Sequence, residues 1–116
     1  MNALVIVNDA PYGSERAYNA LRLAIALAKR DGLHVRVFLM ADAVVCAKAG
    51  QQTPKGYYNV ENMLRALVGQ GGQVGLCGSC MDARGLTEQE VVAGARRSTM
   101  EELATWTIAA DRLLTF

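Results

Sequence analysis

The chain has 116 residues, of which 52% are hydrophobic, and a net charge of +1. These values exclude a disordered chain and argue against a nucleic-acid or anionic-membrane binder, because no basic run is present to neutralise phosphates. A chain of this length reads as one domain, residues 1–116, burying roughly two-thirds of its unfolded surface without staples.

The apolar stretches are far too short to span a bilayer. The N-terminus runs straight into Leu4-Val5-Ile6-Val7 with no basic segment and no cleavage pattern, so it does not read as a signal peptide. A cytoplasmic location is expected. In that compartment the three cysteines read as thiols, redox pairs or ligands rather than structural bridges.

Leu4 to Val7 is a continuous apolar, β-branched run, the pattern of a buried strand in a parallel sheet. Asn8 to Gly13 is turn chemistry, and Ser14 is the expected N-cap of a helix running to about Arg30. Ala17, Leu21, Ala24, Ile25 and Ala28 share one face of that helix. Asp31-Gly32 closes it. Val35 to Met40 is the second strand. Asp42 is the expected cap of a short helix over Ala43 to Ala49, holding Cys46, with Gly50 as its stop. Gln51 to Tyr58 is polar, carries Pro54 and Gly56, and reads as a mobile loop. Asn59 opens a third helix with Val60, Met63, Leu64, Leu67 and Val68 on its inner face.

Gln73 to Leu76 is the third strand. It feeds the stretch Gly75-Leu76-Cys77-Gly78-Ser79-Cys80-Met81-Asp82-Ala83-Arg84-Gly85-Leu86, read as a turn of small residues. Thr87-Glu88-Gln89-Glu90 has the form of a capping box, so a helix is expected from Thr87 to Gly94. Ala95 to Arg97 reads as a brief fourth strand, although its arginines are unusual there. Ser98-Thr99-Met100-Glu101 forms another capping box. The helix behind it carries Leu103, Ala104, Thr107 and Ile108, and Arg112 to Phe116 is the last strand. Alternation of this kind implies a parallel sheet flanked by helices, with chemistry gathered at the carboxyl ends of the strands.

The cysteine stretch is the strongest candidate site. A reactive thiol wants a rigid strand end, partial exposure and positive potential. Here a strand precedes it, Arg84 is near in sequence, and the Thr87 helix terminus lies ahead. Cys77 and Cys80 form a C-x-x-C. Zinc needs about four ligands, whereas this pair supplies two and leaves only His34 and Cys46 elsewhere, so no metal or cofactor is expected. In thioredoxin-type redox sites the first cysteine sits at a helix N-terminus; with the cap placed at Thr87 the match is partial. The Asn8 to Ser14 loop can offer amides to an anion, and a plain strand-to-helix turn is the simpler reading. No Ser-His-Asp set can be assembled. Glu88, Glu90, Glu101 and Glu102 belong to helix caps. Cys46, between Val45 and Ala47, reads as a small buried hydrophobe.

Several segments together resemble the DsrE/DsrF-like family over nearly the whole chain. They are Val5-Ile6-Val7-Asn8-Asp9-Ala10-Pro11-Tyr12-Gly13, Leu23-Ala24, Phe38-Leu39-Met40-Ala41-Asp42-Ala43, Cys77 through Gly85, and Ala110-Asp111-Arg112-Leu113-Leu114-Thr115-Phe116. The resemblance implies a three-layer α/β/α fold with a mostly parallel five-stranded sheet. It also implies oligomers, commonly trimers or hexamers. In the family's sulfur-relay members one cysteine carries a persulfide and hands its sulfur to a partner protein. Measured from Arg84-Gly85, that cysteine matches Cys77. Cys80 departs from the relay pattern and leaves room for disulfide chemistry. The expected site is therefore Cys77 as nucleophile, Cys80 as resolving thiol, and Arg84 favouring the thiolate. The expected partners are sulfur donor and acceptor proteins and further copies of the chain, which would meet at Trp106 and Phe116. A redox protein cycling Cys77–Cys80 and a non-catalytic small-ligand-binding oligomer are the alternatives.

Overall fold

The computed structural model describes all residues, Met1 to Phe116. Five strands form one sheet: β1 (Asn2–Val7), β2 (His34–Leu39), β3 (Gln73–Cys77), β4 (Ala95–Ser98) and β5 (Arg112–Thr115). Their order is β4-β3-β2-β1-β5, and every pairing is parallel. The α/β architecture expected from the alternating apolar runs is the one observed. Val5, Val7, Val37 and Leu76 are fully buried, as strands covered on both faces require.

Four helices connect the strands: α1 (Arg16–Ala28), α2 (Val60–Gly69), α3 (Gly78–Ala83) and α4 (Met100–Ala109). From β1 to β4 the chain steps in one direction along the sheet, so right-handed crossovers put α1 and α2 on one face. The return from β4 to β5 crosses the whole sheet and carries α4 over the other face. There Trp106 meets Phe38 edge-on, with ring centroids 6.2 Å apart. Gly75 lies beneath them; a Cβ at that position would stand 3.3 Å from Phe38, Ser98 and Trp106 alike. Trp106 is 5% exposed and has the guanidinium groups of Arg36 and Arg96 near its ring. It is a core residue, which corrects its assignment to a subunit contact. Phe116 is half-buried, held by backbone bonds to Ile6 and Asn8.

Several helix starts differ from the sequence reading. Glu15, not Ser14, occupies the N-cap of α1, although the Ser14 hydroxyl, which donates to Asp9 at 2.7 Å, still accepts from the Arg16 amide at 3.4 Å. Asp42 does not cap; it lies inside a 3₁₀ helix, Ala41–Ala47, that starts from Met40. Asn59 caps α2 as expected, accepting from the Asn62 amide at 3.0 Å. Thr99 rather than Ser98 caps α4, accepting from the Glu102 amide, since Ser98 is still the last residue of β4.

The largest difference follows Cys77. Gly78 to Ala83 is a helix, not a turn, and Met81 is fully buried beneath it. The Thr87–Glu90 pair does close, with the Glu90 carboxylate accepting from the Thr87 amide and hydroxyl. It opens only a 3₁₀ turn, Glu88–Glu90. Val91 then bridges to Lys48 and the Val92 amide donates to the Ala47 carbonyl. These contacts pull two β-branched residues out of helical geometry.

The Gln51–Tyr58 loop is tied at both ends. The buried Glu61 carboxylate accepts from the amides of Gly50 and Gln51, both at 2.9 Å. The Tyr12 hydroxyl donates to Gln51 at 2.6 Å. Only the tip, Pro54 to Tyr57, is continuously exposed.

Candidate functional site: the Cys77 thiol

Parallel strands bring three connections to one end of the sheet: the turn after β1, the 3₁₀ helix after β2, and α3 after β3. Cys77 is the last residue of β3 and also the N-cap of α3. Its backbone is therefore fixed by the ladder: Leu76, just before it, pairs with Leu39 of β2, and Cys77 itself pairs with Ser98 of β4. Cys77 is 9% exposed and opens into a cavity of about 270 Å³ lined with Ser79, Arg97, Ser98, Thr99 and Met100.

Burial opposes the Cys77 thiolate. The side chains of Cys80 and Ser79 and the backbone amides of the same two residues outweigh it, and the thiol is held below its ordinary value. The Cys77 sulfur and the Ser79 hydroxyl are 3.4 Å apart. Such charge-assisted hydrogen bonds at the first turn of a helix are the usual means of stabilising a thiolate. Cys80 moves the other way. Its own burial, and then its interaction with Cys77, raise it. The two thiols are thus pushed apart: the thiolate is favoured at Cys77 and disfavoured at Cys80. Both sulfurs are free thiols.

Neither Arg84 nor the Thr87 terminus is among the main influences on Cys77. Arg84 pairs with Asp42 at 2.8 Å and donates to the Cys80 carbonyl at 3.0 Å. Its charge favours the thiolate of Cys80, though burial dominates there. The cation beside Cys77 is Arg97. A Cβ on Gly78 would lie 2.8 Å from the Arg97 guanidinium carbon, so the glycine leaves room for it. Asp82 holds that guanidinium in two bonds, at 2.8 and 2.9 Å. Sequence reading passed over Arg97. The available signal was an arginine at the inner end of a short strand, where an apolar residue is the norm.

The remaining candidates separate cleanly. Cys46 is fully buried, and burial pushes its thiol up to about 12. Its nearest polar partner is the Asp9 carbonyl, 3.8 Å away. His34 begins β2, at the opposite end of the sheet from Cys77. No three His, Cys, Asp or Glu side chains gather as metal ligands would.

The DsrE/DsrF-like family model matches residues 1–116. The chain belongs to the DsrE/DsrF-like family. Protein YchN of Escherichia coli is 45% identical over 114 residues, covering 97% of each chain. An uncharacterized protein of Methanocaldococcus jannaschii is 39% identical over 116 residues, the full length of both. The crystal structure of the ychN protein from E. coli superposes with a TM-score of 0.92 at 47% identity, over 100% of both chains. A protein of unknown function from Methanobacterium thermoautotrophicum, 13% identical with a TM-score of 0.76, shares the fold. No helix of this family member is long and apolar enough to cross a membrane.

Proposed function

We propose that the protein carries sulfur as a persulfide on Cys77 and passes it between partner proteins. One observation supports this above the others: Cys77 caps α3 with its thiol held below the ordinary value, while that of Cys80 is pushed above it. In loading, the Cys77 thiolate attacks the outer sulfur of a donor persulfide. The donor's sulfur–sulfur bond breaks, a new one forms at Cys77, and the donor leaves as a thiol carrying the proton. In unloading, an acceptor thiolate attacks the same outer sulfur and Cys77 returns as the thiolate. No external oxidant is needed, because the sulfur moves with its oxidation state unchanged.

Cys80 expels the sulfur only slowly, so Cys77 keeps its cargo between partners. A raised thiol is a weak nucleophile near neutrality, so it acts as a proton donor to the persulfide and only slowly as a resolving thiol. Arg84 keeps Cys80 in place through its carbonyl, and Arg97 supplies positive potential at Cys77. The second reading, a redox protein cycling Cys77–Cys80, draws on the C-x-x-C at the start of α3, which removes the mismatch noted from sequence.

Loading with a persulfide donor and weighing the intact protein separates the two. The unmodified chain and Cys46→Ser gain one sulfur atom that reductant removes, and Cys77→Ser gains none. Cys80→Ser loads and holds the sulfur longer. Loss of two hydrogens in place of a gained sulfur would instead establish the disulfide couple. Equal loading of Cys77→Ser would end the assignment.

The same reading takes the chain as a homo-oligomer. Leu113 and Leu114 are 44% and 39% exposed on the edge strand β5, and Ile108 is 87% exposed on α4, apolar surface of the kind that subunit contacts cover. Light scattering is expected to give a multiple of 12.5 kDa; a monomer at micromolar concentration contradicts it.

A further inference from the structure

All four tyrosines of the chain meet at the turn after β1. Tyr18 and Tyr57 each stack on Tyr58, with centroids 4.1 and 4.4 Å away and interplanar angles of 24° and 26°. Two rings cannot share one face at that distance, so Tyr58 lies between them. Tyr12 packs alongside at 5.7 Å. The column has two ends. At one, the Arg22 guanidinium sits over the Tyr18 ring, 5.4 Å from its centroid. At the other, Tyr57 is 54% exposed.

That open end forms a cavity of about 320 Å³ with Gly13, Ser14, Glu15, Tyr57 and Tyr58. Gly13 has a φ of 104° and no side chain to fill the space. The Glu15 side chain is exposed and, unlike that of its neighbour Arg16, which pairs with Asp9, makes neither a salt bridge nor a hydrogen bond. Its field reaches the column. The Tyr58 hydroxyl is pushed up to about 12, first by the Tyr57 hydroxyl and by burial, and further by the Glu15 charge. The function proposed for Cys77 uses none of these groups.

The geometry points to a binding site for an organic cation, an ammonium or guanidinium group, seated on the open face of Tyr57 against the Glu15 carboxylate. An aromatic face attracts a cation through its quadrupole, and a carboxylate on the adjoining wall supplies a counter-charge. The fold already does this at the far end, where its own Arg22 covers Tyr18. The Tyr57 end offers the same face and adds a free carboxylate. A free small cation and a basic side chain of a partner protein share this chemistry.

The test is proton NMR titration of the full chain with tetramethylammonium chloride, and separately with an acetylated, amidated Gly-Arg-Gly peptide. Saturable upfield shifts of the probe's protons are expected, from the ring current of Tyr57. Tyr57→Leu and Glu15→Gln each weaken binding by about fivefold, whereas Tyr57→Phe stays within about twofold. Glu15→Gln alters an unpaired exposed side chain, so it reports even if Tyr57→Leu disturbs the column. Cys77→Ser binds as the unmodified chain does, which keeps this result independent of sulfur transfer. Tighter binding of the peptide identifies a partner's side chain as the source, and tighter binding of tetramethylammonium identifies a small molecule. Absence of saturation, an equal response to sodium chloride, or unchanged binding in both Tyr57→Leu and Glu15→Gln overturns the site.

Discussion

The backbone amide of Ala41 donates to the sulfur of Cys80 at 3.2 Å. Ala41 is also the one residue other than glycine with a positive φ, 52°. A left-handed alanine costs about 1 kcal/mol or more against a glycine, so the turn after β2 stores strain while aiming an N–H at a thiol. Ala41→Gly should remove the strain and retain the bond. The expected result is a gain in stability of about 0.5–1 kcal/mol in urea unfolding, with Cys77 reactivity unchanged. A loss of stability would mean that the left-handed conformation is not what limits this turn.

Cys77 should be the thiol that alkylates. Hydrogen bonding from Cys80 and Ser79 overcomes burial and lowers it, while Cys80 and Cys46 are raised. The rate of iodoacetamide labelling should rise with pH through a midpoint below that of free cysteine, and peptide mapping should place the label on Cys77. Cys80→Ala removes one donor to the thiolate, so its midpoint should move upward. If Cys80 takes the label first, the order of the two thiols is reversed.

Cys46 gives a stability change of known sign. Its thiol lies at about 12 in the folded protein, against an ordinary value of 9.0. Between those values the unfolded chain has lost the proton and the folded chain keeps it. Stability is therefore full below about pH 9 and falls as pH rises toward 12, by up to about 4 kcal/mol. Cys46→Ala should flatten this alkaline slope in a series of denaturant melts. A slope that survives the substitution would assign it to other groups.

Much of the fold was legible in the chain. The runs Leu4-Val5-Ile6-Val7 and Val37-Phe38-Leu39 are long enough in β-branched and apolar residues to be strands in any context. Asn59 caps α2 through its own side chain, three residues from its partner. Gly32 and Gly50, at φ of 73° and 91°, form the turns that follow elements already ended at Ala28 and Ala47, a local backbone preference. These are short-range effects, and adjacent residues suffice to express them. The resemblance carried by Cys77 through Gly85 likewise singled out Cys77 as the candidate thiol.

What local sequence did not contain was decided by packing. Gly78-Ser79-Cys80 has little helix propensity, yet α3 forms because Met81 is drawn fully into the core beneath it. That helix makes Cys77 an N-cap and replaces Thr87 as the terminus that matters. Arg97 stands beside Cys77 because β4 pairs with β3 in a register that sets Cys77 against Ser98, a long-range relation absent from either segment alone. Trp106 is buried and Ile108 exposed on the same helix. Apolar residues occur all round α4, so periodicity could not choose its inner face. The gap that Gly75 leaves in the sheet chose it, because only there could the indole be covered.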